Sequence, residues 1–481
     1  MLFNSYIFIL AFLPIVCIGF YILLKNKKNT WLNTFLLLAS IIFYVYAGME
    51  TLGLLTVQVV INYGIYKLLI GCNKNNQATG KKLFLTVGII FNIGLLLYFK
   101  YFNFFIGTVN LIVENDISVR EIIQPLGISF IVFQQIAFLI DTSRNQVEEC
   151  GFKEYALFIT FFPHVSSGPI ILSHEFLPLL KKEKEIDWKV ISVGIYMFVM
   201  GLGKKVLIAD KLGEAVNWGY ANLNEINTTS AIFISIVYSL QIYFDFSGYS
   251  DMAIGISRML QLDLPINFNS PYKARTILEF WDRWHMTLTR FFTKYLYIPL
   301  GGSRKGKIRT YINTMIVFLV SGLWHGASWT FILWGGLHGV FMVFTKHFIK
   351  AFQKIPDWFN RIITLLFVNV SWIVFRAGSF STLRDMMAAI LKFKWGSLHE
   401  NICSILKPVF VEKIEWLVVP QWFWAVLIVV VLIWIVLTQK NVGEKAQEME
   451  YSLCSGIVVS CVALLCVLSF SGVTTFIYSL F

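Results

Sequence analysis

The sequence predicts an all-α polytopic integral membrane protein, and three observations carry that expectation. Charged residues make up 14% of the 481-residue chain, against about 25% in ordinary soluble proteins. The apolar residues, 57% of the chain, come in long runs that leave no polar surface for a soluble fold. Aromatic residues reach 16%, with 44 Phe and 15 Trp, a composition suited to lipid-facing helices with interfacial belts.

A spanning helix needs roughly 20 mostly apolar residues. By that measure the candidate spans are 5–24, 31–47, 52–71, 83–99, 124–140, 190–210, 230–250, 312–328, 330–348, 361–377, 423–438 and 453–476. The expectation is therefore about 11–12 transmembrane helices. Shorter apolar pieces at 102–113 and 155–172 read as re-entrant or interfacial. The N-terminus lacks a basic leader and a small-residue cleavage site, so 5–24 reads as a first membrane helix rather than a cleaved signal. Residues 1–481 form one integral membrane domain in this reading, with 378–421 as a candidate exposed cap.

The formal net charge is +12. With the apolar runs in view, this is the positive-inside bias of cytoplasmic loops and not a nucleic-acid surface. Placing the N-terminus outside the cytoplasm puts the Lys- and Arg-rich loops 74–82, 144–189, 258–309 and 346–361 inside, and acidic Glu114, Asp116 and Glu121 outside. The chain then sits in the plasma membrane with lipids as its surroundings. The seven Cys form no CxxC pair, and no His or Cys pair has ligand spacing, so neither a disulfide framework nor a metal is expected.

Residues 312–348 are nearly uncharged around Gly322, Gly326, Gly335 and Gly336. The run is too long for one straight helix and tight for two. It predicts a broken or re-entrant path, which membranes tolerate where the backbone is buried in protein or lines a wet cavity. Within it lies His325, in Ser-Gly-Leu-Trp-His-Gly-Ala-Ser-Trp, residues 321–329. An ionisable group inside a membrane segment is a functional candidate by default. The flanking glycines permit close backbone approach to the imidazole. A structural His bonded to a backbone carbonyl is the competing reading.

His285 sits in Phe-Trp-Asp-Arg-Trp-His-Met, residues 280–286. At 100° per residue, Ile277, Trp281, Trp284, Leu288, Phe291 and Tyr295 make one apolar stripe with Arg283, Arg290 and Lys294 on its flank. That pattern predicts an amphipathic helix on the cytoplasmic membrane surface, anchored among headgroups. His285 falls on the far edge of the stripe and so could face the protein. His338 and His347 read as structural, His164 and His174 as parts of a membrane-level loop, and His399 as solvated.

Gln241, Asp245 and Tyr249 share one helical face at i, i+4 and i+8. Asp245 could orient an imidazole or an acceptor hydroxyl. It could equally form an ion pair with a nearby arginine. Residues 301–307, Gly-Gly-Ser-Arg-Lys-Gly-Lys, nearly match a phosphate-cradling loop. Ile308 stands where Ser or Thr would hold magnesium, and no strand precedes it, which excludes nucleotide hydrolysis. A basic turn carrying Arg304 and Lys305, able to meet headgroups or a donor phosphate, remains.

These segments together resemble the membrane-bound O-acyltransferase family, in its alginate-acetylation branch. The resemblance rests on Tyr243 to Gly255, Asn267 to Tyr272, Phe280 to His285, Tyr297 to Gly302 and Gly322 to Thr330, with Phe161 to Pro169 also fitting. It is dense over 160–340, the motif-bearing catalytic core. It departs at Thr293-Lys294, where the family tends to carry an Arg-Asp pair. The resemblance implies that His325 matches the essential histidine and His285 a second one upstream, in a funnel-shaped core with a thin waist. It implies no bound cofactor. The co-substrate is an acyl thioester, acetyl-coenzyme A or an acyl carrier, and the acceptor is a hydroxyl of a polysaccharide or other envelope glycan, reached directly or through an extracytoplasmic acetyltransferase partner protein. Asp245, Tyr249, Gln241, Asn267, Trp324 and Ser328 are then candidates to orient groups or line the path, and Arg283, Arg304 and Lys305 to meet the donor's phosphates. A transporter or flippase of an envelope precursor is the rival reading, since it too would place polar residues and broken helices in the membrane. The enzyme reading requires that the His325 ring be open toward a membrane face.

Overall fold

The computed structural model describes residues 1–26, 29–46, 48–113, 117–165, 168–408, 419–448, 452–470 and 476–477. Glu114 and Asp116, Ser166 and Ser167 of the loop motif, residues 409–418 of the candidate cap and 471–475 of the last candidate span lie outside them. Among the described residues all regular structure is helical. Seven helices there are long and apolar enough to cross a bilayer, fewer than the sequence pattern suggests. Asn29–Val45, Ile128–Ser143 and Leu453–Leu468 are apolar but shorter.

The chain forms two compact units. The first comprises Met1–Val199 with Tyr249–Ile266. Its helices are α1 (Phe8–Lys25), α2 (Asn29–Val45), α3 (Met49–Lys74), α4 (Ala78–Val113), α5 (Ile128–Ser143), α6 (Phe152–Thr160), α7 (Ser173–Lys181) and the start of α8 (Trp188–Ala221). In α1, Phe8, Phe12, Val16 and Phe20 form a buried stripe, while Ile15, Ile18 and Ile22 are exposed. An outward face of large apolar side chains needs lipid rather than water around it. The piece 102–113 is not re-entrant. It continues α4 through a π turn at Leu97–Tyr101. The piece 155–172 does not lie at an interface either, because α6 and the following Phe161 and Phe162 are buried inside the unit.

The second unit comprises Met200–Gly248 and Asn267–Ile477. It holds the end of α8, most of α9 (Thr228–Met259), α10 (Ile277–Arg283), α11 (Met286–Phe292), α12 (Gly306–His325), α13 (Trp329–His347), α14 (Asp357–Ala377), α15 (Phe380–Leu391), α16 (Glu400–Leu406), α17 (Gln421–Thr438) and α18 (Leu453–Leu468). The uncharged run 312–348 resolves into the α12–α13 hairpin, broken at residues 326–328. Gly322 and Gly335 let the two backbones touch. A Cβ on Gly322 would run into the Phe331 carbonyl oxygen, and one on Gly335 into that of Phe318. The hairpin cannot widen locally without losing its interlocked packing. Gly335→Ala is therefore expected to destabilise the protein by about 1–3 kcal/mol, the usual scale of overpacking. Thermal unfolding in detergent measures this, and an unchanged midpoint would contradict so close a crossing.

The amphipathic helix expected over 277–295 is not one helix. α10 starts at a Thr276 cap, whose hydroxyl accepts from the Glu279 N–H at 3.3 Å. It ends at Arg283, and α11 begins only at Met286. Its stripe is not an anchor among headgroups, since Trp281, Trp284, Leu288 and Phe291 are buried in the unit.

Candidate active site

The second unit gathers both candidate histidines around Trp324. His325 ends α12 and is 1% exposed. Its ring meets Trp324 and Trp334 with centroids 5.0 Å apart in each case, and Phe375 at 5.4 Å. Trp324 in turn lies 6.2 Å from His285. The expected opening toward a membrane face is not met: the ring is enclosed by aromatic side chains. This is the cost of placing an imidazole where the glycine-rich hairpin packs closest.

His285 is fully buried and occupies the junction between α10 and α11 in a left-handed conformation, φ 45° and ψ 51°. Such a backbone is uncommon for a residue with a Cβ. Phe246 of α9 packs edge-on at 4.8 Å. The Asn267 side-chain oxygen accepts from the Thr287 N–H at 3.3 Å and from the Thr287 hydroxyl at 2.9 Å, and lies 3.1 Å from His285 Nδ1. A backbone N–H can only donate, so the amide oxygen is the atom facing it. His285 Nδ1 must then carry the proton, which leaves Nε2 as the basic nitrogen. Burial pushes the His285 pKa down to about 3, so the ring is neutral.

Trp281 and His338 form a separate network. The Trp281 N–H donates to His338 Nδ1 at 3.2 Å, so His338 Nε2 carries the proton and faces the Ser371 hydroxyl at 3.0 Å. Ser371 donates onward to the Val368 carbonyl. His338 is thus fully occupied in structure.

A cavity of about 350 Å³ opens beside these groups. Trp281, Leu288, Phe292, Val317, Phe318 and Met342 supply its apolar lining, and Asp282, Tyr297, Ser303 and Lys346 its polar points. Ser321, which also lines it, precedes His325 by one turn on the same face of α12. Trp281 lies 5.9 Å from Trp334. The cavity therefore ends one aromatic layer short of the His325 ring.

The basic turn borders this cavity through Ser303, which is 2.8 Å from the Tyr297 hydroxyl. Gly301, Gly302 and Gly306 have φ of 107°, 54° and 85°, and Arg304 and Lys305 are exposed between them. Arg283 is not available in the same way. It is bound to Glu279 at 2.8 Å and donates to the Asn269 carbonyl at 3.2 Å.

Four further candidates are placed differently from the sequence expectation. Asp245 is 2% exposed and bound to Lys205 Nζ at 2.6 Å, with its second oxygen accepting from the Ile477 N–H at 2.9 Å. Lys205 also holds Asp210 at 2.8 Å. The partner is a lysine in the π turn Lys204–Ala209 of α8, not an arginine, and Asp245 orients no imidazole through these bonds. Tyr249 belongs to the first unit, where it stacks on Phe3 at 5.0 Å. Ser328 caps α13: its hydroxyl accepts from the Thr330 N–H and donates to the Gly378 carbonyl at 2.8 Å. Gln241 packs its amide against Gly213, and its Oε1 has no hydrogen-bond partner among the described residues. Sequence reasoning missed Lys205 and Trp334. An uncommon lysine inside a span was the available signal for the first, and nothing in the sequence distinguishes the second from its neighbouring tryptophans.

A helical membrane protein with a buried histidine at a broken hairpin and an apolar cavity alongside fits an acyl-transfer enzyme. Residues 41–382 match the membrane-bound O-acyltransferase family, and the chain belongs to it. It is an O-acyltransferase and a multi-pass membrane protein. It is 38% identical over 439 residues to the peptidoglycan O-acetyltransferase of Helicobacter pylori, covering 85% of this chain and 82% of that one. It is 35% identical over 399 residues to a probable alginate O-acetylase of Azotobacter vinelandii, covering 82% and 78%. A teichoic acid D-alanyltransferase of Bacillus subtilis is 29% identical over 271 residues, covering 53% and 67%. Among the described residues no group of three or more His, Cys, Asp and Glu is placed to hold a metal.

Proposed function

We propose that the protein moves a small acyl group, acetyl in the first instance, from a cytoplasmic thioester to hydroxyls of an extracytoplasmic polysaccharide or cell-envelope glycan. His325 acts as general base. The observation that carries this reading is the apolar cavity that follows the α12 face to within one turn of His325, with the basic turn at its border. A thioester arm is apolar enough for such a lining, and Arg304 and Lys305 suit the phosphates of coenzyme A or of an acyl carrier. The relatives' names support acetyl as the group and a glycan as the acceptor.

The imidazole takes the acceptor's hydroxyl proton as the oxygen attacks the thioester carbonyl. The tetrahedral intermediate collapses, expels the thiolate, and the imidazolium returns its proton to the leaving sulfur. The His325 ring is sealed in this structure, so acyl transfer requires the aromatic layer of Trp281, Trp324, Trp334 and Phe375 to part when substrate binds, which would also exclude water from the thioester. His285, through Trp324, positions that layer. The Asp245–Lys205–Asp210 cluster holds α8 against α9 and does not enter the chemistry. The N-terminus lies outside the cytoplasm, the membrane is the plasma membrane, and a partner acetyltransferase outside the cell can take the group onward.

The test is reconstitution in proteoliposomes with labelled acetyl donor on the side of the basic turn and a glycan on the other. Covalent label on the glycan is the expected result. Glycan or precursor crossing the bilayer without label would favour a flippase and contradict the proposal.

A further inference from the structure

We infer that the Trp334 indole N–H is the donor that stabilises the oxyanion during acyl transfer, an inference that rests on His325 being the base. Trp334 is fully buried on α13, and its Nε1 has no hydrogen-bond partner among the described residues. Buried donors in folded proteins are nearly always satisfied, so an exception calls for a reason. The surroundings explain why this donor stays unsatisfied. Trp281, Trp372 and Phe375 pack around the indole and offer it no lone pair. His338 lies at 4.8 Å, but its one lone pair is taken by the Trp281 N–H and its other nitrogen by Ser371. The His338 network thus keeps a potential acceptor away from Trp334.

The position suits the chemistry. The indole stands perpendicular to the His325 ring, with centroids 5.0 Å apart. It also packs against Trp281, which lines the cavity, with centroids 5.9 Å apart. A thioester entering along the cavity meets Trp334 and His325 as adjacent edges of one layer. As the acceptor oxygen bonds to the carbonyl carbon, the carbonyl π electrons move onto oxygen, which accepts the Trp334 N–H. His325 takes the hydroxyl proton. When the C–S bond breaks, the carbonyl reforms and the proton passes to the thiolate. A fixed donor in a dry site needs no reorganisation as charge develops, and donors of this kind account for about 10²–10³ in kcat.

The test replaces Trp334 by Phe and, separately, by 3-benzothienylalanine, which keeps the bicyclic shape and puts sulfur where the N–H was. Both are made in the full chain and assayed with acetyl-coenzyme A and an oligosaccharide. The expected result is a fall in kcat of about 10²–10³ with the donor KM changed less than about threefold. The thermal midpoint should hold or rise, since a buried unsatisfied donor has gone. Wild-type kcat in the benzothienyl variant overturns the proposal, as does a loss accompanied by a lowered midpoint in that shape-matched variant. His325→Ala is run alongside. If it remains active, the general-base reading has failed. If it is inactive while the benzothienyl variant is fully active, only the role of Trp334 has failed.

Discussion

His325→Ala is expected to lower acyl transfer by about 10²–10⁴-fold, the range that a positioned general base contributes. The loss should fall on kcat and on kcat/KM alike, because the imidazole acts on a proton that moves only in the transition state. The ring is enclosed by Trp324, Trp334 and Phe375, so alanine also leaves a hole. His325→Gln fills most of that volume and retains hydrogen-bonding atoms without a base of suitable pKa. It should be as inactive as alanine with a thermal midpoint nearer the wild type. Activity in the glutamine variant comparable to wild type would show that the ring is structural.

Lys205→Met is expected to be the most destabilising single change in the second unit. Lys205 is 2% exposed and lies between Asp245 and Asp210. Removing its charge strips the buried Asp245 carboxylate of its counter-ion, and breaking a buried pair from one side costs about 3–5 kcal/mol. The Lys205→Met, Asp245→Leu double variant should recover part of that, because two apolar side chains replace a desolvated pair. Unfolding midpoints and yields of the three proteins in detergent measure the effect. Equal midpoints for Lys205→Met and wild type would mean that water reaches the cluster freely.

Much of this was legible from composition and spacing, and the reasons are physical. A bilayer forbids unsatisfied backbone and stray charge, so long uncharged runs announce helices, and a histidine among glycines stands out as a candidate. The break in 312–348 followed from the same constraint, and the α12–α13 hairpin has it. Other features depended on partners far along the chain. Asp245 finds Lys205 forty residues upstream, a pairing created by the packing of α8 on α9. The junction at Trp284-His285 carries neither Gly nor Pro, so helical periodicity ran straight through a left-handed residue. Likewise, the π turn at Leu97–Tyr101 joined two apolar pieces that hydropathy had separated. The Glu279–Arg283 pair was legible at i,i+4 spacing.

A thioester arriving through the cavity is expected to reach the His325 imidazole once the aromatic layer parts. A structure of the protein with a non-hydrolysable thioether analogue of the acetyl donor tests this directly. The expected result is the analogue's arm in the cavity between Trp281 and Phe318, the side chains of that layer displaced, and its acyl end at roughly 3–4 Å from the His325 ring, a near-attack separation. An analogue bound with its acyl end at another residue, or with the His325 ring still sealed, would contradict it.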